Sequence, residues 1–422
     1  MPSIQSSPEA TIKPMKGDRV CDQCGQRIPF GLPECPMCST RHRFLFWGLE
    51  PESLLLLSLL ALGVFFALTG FVVKGYHAQQ KALAQRWRGR GEAALRDHQP
   101  AQAVEDFHNA LNYSHDNPQD LLNLARALIQ EGHLTEAKAY LRTLWASEPG
   151  DGEVNLELAR LSLMQGNVQQ AIGYYHDSIY GVWLRNAIVH RREVRLELIQ
   201  LLLRQGMMAH ADSELITLGG GLPENSPLHA TAGEMFLEVQ DYRRALAEFQ
   251  QALRIDRRQK SAWAGGGDAA FHLGQYPQAE HFLETAAADH AANARETQEL
   301  AVSRAILSSD PYVPRLTEWA RVLRVLFAYH RAMARLGECA QSRGEKLSAQ
   351  GSQAPLEAAD AQLLKLQPDA VEWKLLRQPD LLVPMMDAVS SAEDAAAQQC
   401  GPGTPLDQAL VLISHLQGGL RD

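Results

Sequence analysis

The chain has 422 residues, with 40 Lys/Arg against 49 Asp/Glu for a net charge of −9. That acidic balance disfavours nucleic acid as the main partner, and residues 1–52, with six Lys/Arg against six Asp/Glu, hold no basic patch. No GxSxG, HExxH, kinase or phosphate-loop signature occurs, so the chain reads as a non-enzyme with no evident small-molecule substrate.

Residues 1–20 are expected to be a disordered tail. Residues 21–40 then hold four of the six cysteines, as Cys21-x-x-Cys24 and Cys35-x-x-Cys38 separated by ten residues. Each Cys-x-x-Cys turn presents two sulfurs to one ion, and four thiolates at about 2.3 Å suit a closed tetrahedral zinc site. Gly25 stands where a positive φ lets amides point at sulfur. The stretch resembles the short zinc ribbons at the N-termini of many bacterial membrane proteins, through Cys24-Gly25, Ile28-Pro29-Phe30-Gly31 and Cys35-Pro36-Met37-Cys38. It departs from them at Ser39, where a glycine is usual. The resemblance implies structural zinc on Cys21, Cys24, Cys35 and Cys38. Two disulfides, or redox-active pairs, are the other reading of the same spacing.

Ser53–Val73 is an uncharged run of 21 residues, long enough to cross about 30 Å of hydrocarbon as one helix. Trp47 and Tyr76 flank it at interfacial positions. Some fifty residues precede it, which fits a cleaved signal peptide poorly. Two arguments on orientation oppose each other. Lys74, Lys81, Arg86, Arg88 and Arg90 outnumber Arg41 and Arg43, which would put the C-terminal side in the cytoplasm. Thiolate zinc sites, however, persist in reducing compartments. The favoured reading is a single-pass protein of a bacterial inner membrane, ribbon inside and the large domain outside, with the opposite orientation left open.

From Ala84 the chain repeats every 34 residues. Position 20 of the repeat falls on Ala103, Ala137 and Ala171, and position 24 on Phe107, Leu141 and Tyr175. After six extra residues the register resumes at Arg192, with Ala211, Ala245 and Ala279 at position 20 and Leu215, Phe249 and Leu283 at position 24. Small residues recur at position 8 as Gly91, Ala125, Ala159, Gly233 and Gly267, with Ile199 the exception. The pattern resembles the tetratricopeptide repeat family. The resemblance implies an all-α solenoid of about six repeats, over 84–185 and 192–293. The six extra residues read either as a hinge between two three-repeat halves or as an idle insertion. Gly265-Gly266-Gly267 lies on a repeat helix rather than in a phosphate loop.

The family resemblance further implies a concave face that binds proteins or peptides. Position 9 would line it with Glu92, Arg126, Arg160, Gln200, Glu234 and Asp268, and position 5 of the first repeat would add Arg88, so the face is largely basic in its first half and acidic toward the end. A groove so divided orients a charged peptide, whereas solvated helix faces would carry the same residues idly. Position 9 is never Asn, so the family's carboxylate clamp is not implied. Residues 294–342 read as capping helices, 343–355 as a linker, and 356–422 as a separate small helical module. Cys339 and Cys400 either pair or stand as plain thiols. The function that follows is a membrane-anchored scaffold or adaptor. An assembly factor for an envelope secretion or pilus-type machine, and a zinc- or redox-responsive membrane regulator, are the alternatives.

Overall fold

The computed structural model describes residues 19–29, 31–32, 34–38, 51–289, 293–344 and 354–418. Most of the expected tail, Phe30, Ser39, Arg41, Arg43, Trp47 and most of the expected linker lie outside the described residues. The chain falls into two units, 1–120 and 121–422.

In the first unit, β1 (Arg19–Val20) pairs antiparallel with β2 (Arg27–Ile28), Arg19 opposite Ile28 and Val20 opposite Arg27. Next comes α1 (Pro51–Arg96), a single helix of 46 residues, about 69 Å at 1.5 Å per residue. The apolar run and the first helix of the first repeat are therefore one rod. Lys74–Leu83, which joins them, is rich in Ala, Gln and Lys, and its one glycine does not interrupt the helix. Every described side chain from Leu55 to Val73 is exposed. The first repeat closes with α2 (Pro100–Ser114).

The second unit takes in most of α3 (Pro118–Glu131) and runs on in antiparallel pairs. These are α3 with α4 (Leu134–Ser147), α5 (Gly152–Met164) with α6 (Val168–Tyr180), and α7 (Ala187–Arg204) with α8 (Met208–Gly219). Two more follow, α9 (Ser226–Glu238) with α10 (Tyr242–Ile255) and α11 (Lys260–His272) with α12 (Tyr276–Asp289). Each pair coincides with one 34-residue repeat.

The reason lies in side-chain size. All six position-20 alanines are completely buried, and the six position-24 residues are nearly so. The position-24 side chain lies on position 8 of the same repeat. A Cβ on Gly91 would meet the Phe107 ring at 2.8 Å, on Gly233 the Phe249 ring at 2.8 Å, and on Gly267 the Leu283 side chain at 2.6 Å. Phe249 is also covered from the next repeat, where a Cβ on Gly265 would meet it at 2.3 Å. The glycine triplet is thus a packing device. Position 15 turns each first helix into its second with a left-handed residue: His98, Gly132, Gly166, Gly206, Gln240 and Gly274 all have positive φ. Glycine is the usual solution there because it has no Cβ to clash.

The six-residue insertion is no hinge. Gly152 N donates to Val182 O and Val182 N to Gly150 O, while the Trp183 indole covers Gly152, donates to Ser178 O and stacks on His190 at 4.7 Å. The remaining extra residues extend the start of α7. Leu156, Ala159 and Tyr175 of one repeat share a core with Leu198, Leu202 and Ala211 of the next, across the insertion.

After the repeats come α13 (Ala294–Ser309), α14 (Glu318–Arg343), α15 (Pro355–Leu366), α16 (Glu372–Arg377), α17 (Leu382–Cys400) and α18 (Pro405–Gly418). The expected capping helices and the expected C-terminal module are one body. Val302, Ile306, Val325, Tyr329 and Leu336 share a core with Leu363, Leu375, Met385, Val389, Leu410 and Ile413. Cys339 and Cys400 are disulfide-bonded, tying α14 to the end of α17. Beside this bond, the buried Arg335 guanidinium is ion-paired to the fully buried Glu393 and donates to Gly401 O at 2.9 Å. Arg331 holds Asp407 of α18 through two bonds of 2.6 and 2.9 Å.

Candidate functional site

Two arrangements of side chains carry recognisable chemistry. The first is the thiol cluster. The β1–β2 hairpin closes one Cys-x-x-Cys turn, with Gly25 N donating to Cys21 O and Gly25 at φ +72° as its place in the motif requires. The second turn closes through Cys38 N and Cys35 O. The four cysteines are unbonded thiols, and their sulfurs all lie within 4.8 Å of one another. Cys21 and Cys38 sulfurs are 3.8 Å apart, Cys24 and Cys35 sulfurs 3.6 Å. A tetrahedron with metal–sulfur bonds of about 2.3 Å has edges of about 3.8 Å, so the donor set fits zinc. The backbone amides of Cys24 and Gln23 hold the Cys21 thiol down to about 7. Sulfur contacts with Cys24 and Cys21 push Cys38 up to about 12. Four sulfurs this close cannot all ionise unless a cation sits among them.

The second arrangement is the row at position 9, on the exposed face of the first helix of each repeat. Its arginines are not free. In the first unit Arg88, at position 5 of its repeat, grips the buried Asp120 with Nε and Nη2, the latter at 2.9 Å. The Asp120 carboxylate raises the Arg88 pKa further. In the second unit Arg126 Nε donates to the buried Glu157 at 2.8 Å and its Nη2 to Glu153 at 3.4 Å. Arg160 Nη2 donates to Glu197 at 2.5 Å and Nη1 to Glu157 at 3.3 Å. Each arginine is thereby neutralised by a carboxylate of the following repeat. The expected basic half of the groove is a ladder of inter-repeat ion pairs. Spacing within one repeat could not reveal this, because the partners lie 31–37 residues away.

The other half differs. Gln200 and Glu234 are exposed and make no hydrogen bond or ion pair among the described residues. Asp268 meets Arg295 Nη2 at 2.6 Å, and the same guanidinium reaches His272 Nε2 at 3.1 Å and Glu299 Oε1 at 2.7 Å. Asp268, His272 and Glu299 have the donor types of a metal site, yet Arg295 already stands among them. Burial raises the pKa of Asp268 and of Glu299, and Arg295 opposes the shift.

One family model, described as tetratricopeptide repeat, matches residues 94–151 and 128–176, and another of the same description matches 231–294. These segments are tetratricopeptide repeats. Solved structures similar to part of the chain include pilF of Pseudomonas aeruginosa, at 19% identity over 45% of this chain and 84% of that one, TM-score 0.32. Another is PilW, a type IV pilus biogenesis factor, at 15% identity over 51% of this chain and 96% of that one, TM-score 0.37. A third is the C-terminal part of a repeat protein from Cytophaga hutchinsonii, at 11% identity over 57% of this chain and 92% of that one, TM-score 0.40. No curated protein matches the chain. Within the second unit, Glu234 of repeat five is the position-9 carboxylate without an ion pair among the described residues.

Proposed function

We propose that this chain is a single-pass membrane scaffold whose tetratricopeptide face recruits segments of other proteins, with a zinc ribbon as a folded handle across the bilayer. The observation that carries this reading is α1. Its apolar run of 21 residues is exposed from Leu55 to Val73, and it passes without a break into the first repeat. Among the described residues α1 is the one helix apolar enough to cross a membrane, with a mean hydropathy of 2.5 in its most apolar window. Uncovered apolar surface on that scale needs lipid or a partner around it.

Two features favour the ribbon in the cytoplasm and the repeats outside it. The Cys339–Cys400 disulfide belongs in an oxidising space and free thiols in a reducing one. Two of the five basic residues that argued the other way are engaged by repeat carboxylates, Arg88 with Asp120 of the second repeat and Arg90 with Asp106 of the first at 3.6 Å. Zinc on Cys21, Cys24, Cys35 and Cys38 would then be structural, with no ligand position left for chemistry.

The recruiting face is tested by placing a photo-crosslinking amino acid at Gln200 or, on the opposite helix layer, at the exposed Arg243, in membranes that contain the full chain. Discrete protein adducts at Gln200 and none at Arg243 are expected. Equal labelling at both positions, or none at Gln200, would remove the scaffold reading.

A further inference from the structure

Resting on that reading, we infer that the segment captured by repeats four to six is basic, an extended stretch of chain that places Arg or Lys side chains over Glu234. Three observations lead there.

The first is charge accounting along the face. The arginines of the first three repeats are held by carboxylates of their own stack, so they offer little to an acidic ligand. Glu234 and Glu238 are exposed, without hydrogen bond or ion pair among the described residues. They stand one helical turn apart on α9, about 6 Å at Cβ, a separation that one guanidinium bridges.

The second is shape. Glu234 lies at the shared edge of two hollows, one of about 570 Å³ and one of about 360 Å³. The larger is lined by Asp268, Glu296 and Glu299 against Lys260 and Arg295. The smaller adds Glu238 against Arg204. With Glu234 counted once, five carboxylates face three cations across the two hollows.

The third lies in the floor of the larger hollow. Glu299 is 6% exposed and lines it, and its Oε1 accepts from Arg295 while Oε2 has no hydrogen-bond partner. A buried carboxylate oxygen without a donor is costly, and a second cationic donor entering the hollow would relieve it. Arg295 already shows how this floor takes a guanidinium, between Asp268, His272 and Glu299. A ligand arginine would repeat that recognition one step along the face, at Glu234.

The test measures fluorescence anisotropy with the full chain in detergent micelles and three labelled Gly/Ser decapeptides. They carry arginine, glutamate or norleucine at alternate positions. The arginine peptide should bind tightest and weaken as salt rises from about 50 mM to about 300 mM. Glu234→Lys should weaken it about tenfold, and Glu234→Lys with Glu238→Lys further. Both sites are exposed, so the variants keep the fold. Glu136→Lys, the same charge change on the exposed surface of α4, should leave binding unaltered. Equal weakening by Glu136→Lys and Glu234→Lys would mean diffuse attraction and overturn the inference. Tighter binding of the glutamate or norleucine peptide would overturn it too, yet leave the recruiting face standing. If no peptide binds, the inference falls, and the Gln200 crosslink decides the wider reading separately.

Discussion

Stripping the metal from the ribbon is expected to unfold residues 21–38 while the helical repeats remain intact. The ribbon has one two-residue hairpin and, among its described residues, a single buried apolar side chain, that of Cys35 itself. Its described residues form no apolar core. On the proposed zinc assignment the folding free energy comes from the ion, on the order of 10–16 kcal/mol for a site of this kind. A strong chelator, or Cys24→Ser together with Cys38→Ser, should abolish zinc stoichiometry by atomic absorption and open the ribbon to protease. Far-UV circular dichroism should hardly move, because the helices do not share that site. Purified protein that holds no zinc, or a ribbon that resists protease after chelation, would contradict the assignment.

The second large effect is expected at Arg335. Its guanidinium is 5% exposed and lies against Glu393, which is fully buried. Arg335→Met would leave that carboxylate without its charge partner, a loss of about 3–5 kcal/mol. Arg335→Met with Glu393→Leu should recover most of the loss, since removing both charges restores an apolar contact. The pH dependence supplies an independent sign. Burial pushes Glu393 up to about 7 from its ordinary 4.5, against the pull of Arg335. Between those values the folded state holds the proton more tightly than the unfolded chain. The stabilisation is complete below pH 4.5 and is lost as pH rises through about 7. Asp407 titrates the other way. Burial works to raise it, but hydrogen bonds from Arg331 and Thr404 outweigh burial and bring it below the usual carboxylate range. Its contribution is present at neutral pH and is lost on strong acidification. Thermal melts of Arg335→Met should therefore improve on going from pH 7.5 to pH 5, where Glu393 can be neutral. Equal melts at both pH values, or no recovery in the double variant, would reject the pairing. These melts belong under non-reducing conditions. The Cys339–Cys400 bond joins the same two helices across a separation of 61 residues, and a loop of that length contributes about 4 kcal/mol by chain entropy.

The repeats were legible because their packing is periodic. Alanine at position 20, a bulky residue at 24 and a small one at 8 recur every 34 residues, and the contact they make lies within one repeat. The cysteine spacing was legible for a similar reason, since each pair of ligands sits in a single turn. What stayed hidden was non-local. Arg126 and Arg160 read as a basic lining until Glu157 and Glu197 of the following repeats stood beside them. The shared core of Tyr329, Leu363 and Met385 joins segments that sequence alone separated at the 343–355 linker. The continuity of α1 was missed because two strong signals, apolarity before Val73 and periodicity after Ala84, are silent about the ten residues between them. Gly132, Gly166, Gly206 and Gly274 mark position 15, a signal open to inspection that the repeat alignment left unused.

The central claim is that one chain works on both sides of a bilayer, with thiols inside and a disulfide-closed helical body outside. Protease accessibility of a C-terminal tag in intact bacterial spheroplasts tests it most directly, with the oxidation state of Cys339 and Cys400 read in the same sample by thiol alkylation. Digestion without lysis, and two cysteines that resist alkylation until reduced, is the predicted result. Protection until lysis, with both cysteines alkylated at once, would contradict it. The repeats would then face the cytoplasm, and the ribbon thiols would lie in the oxidising space.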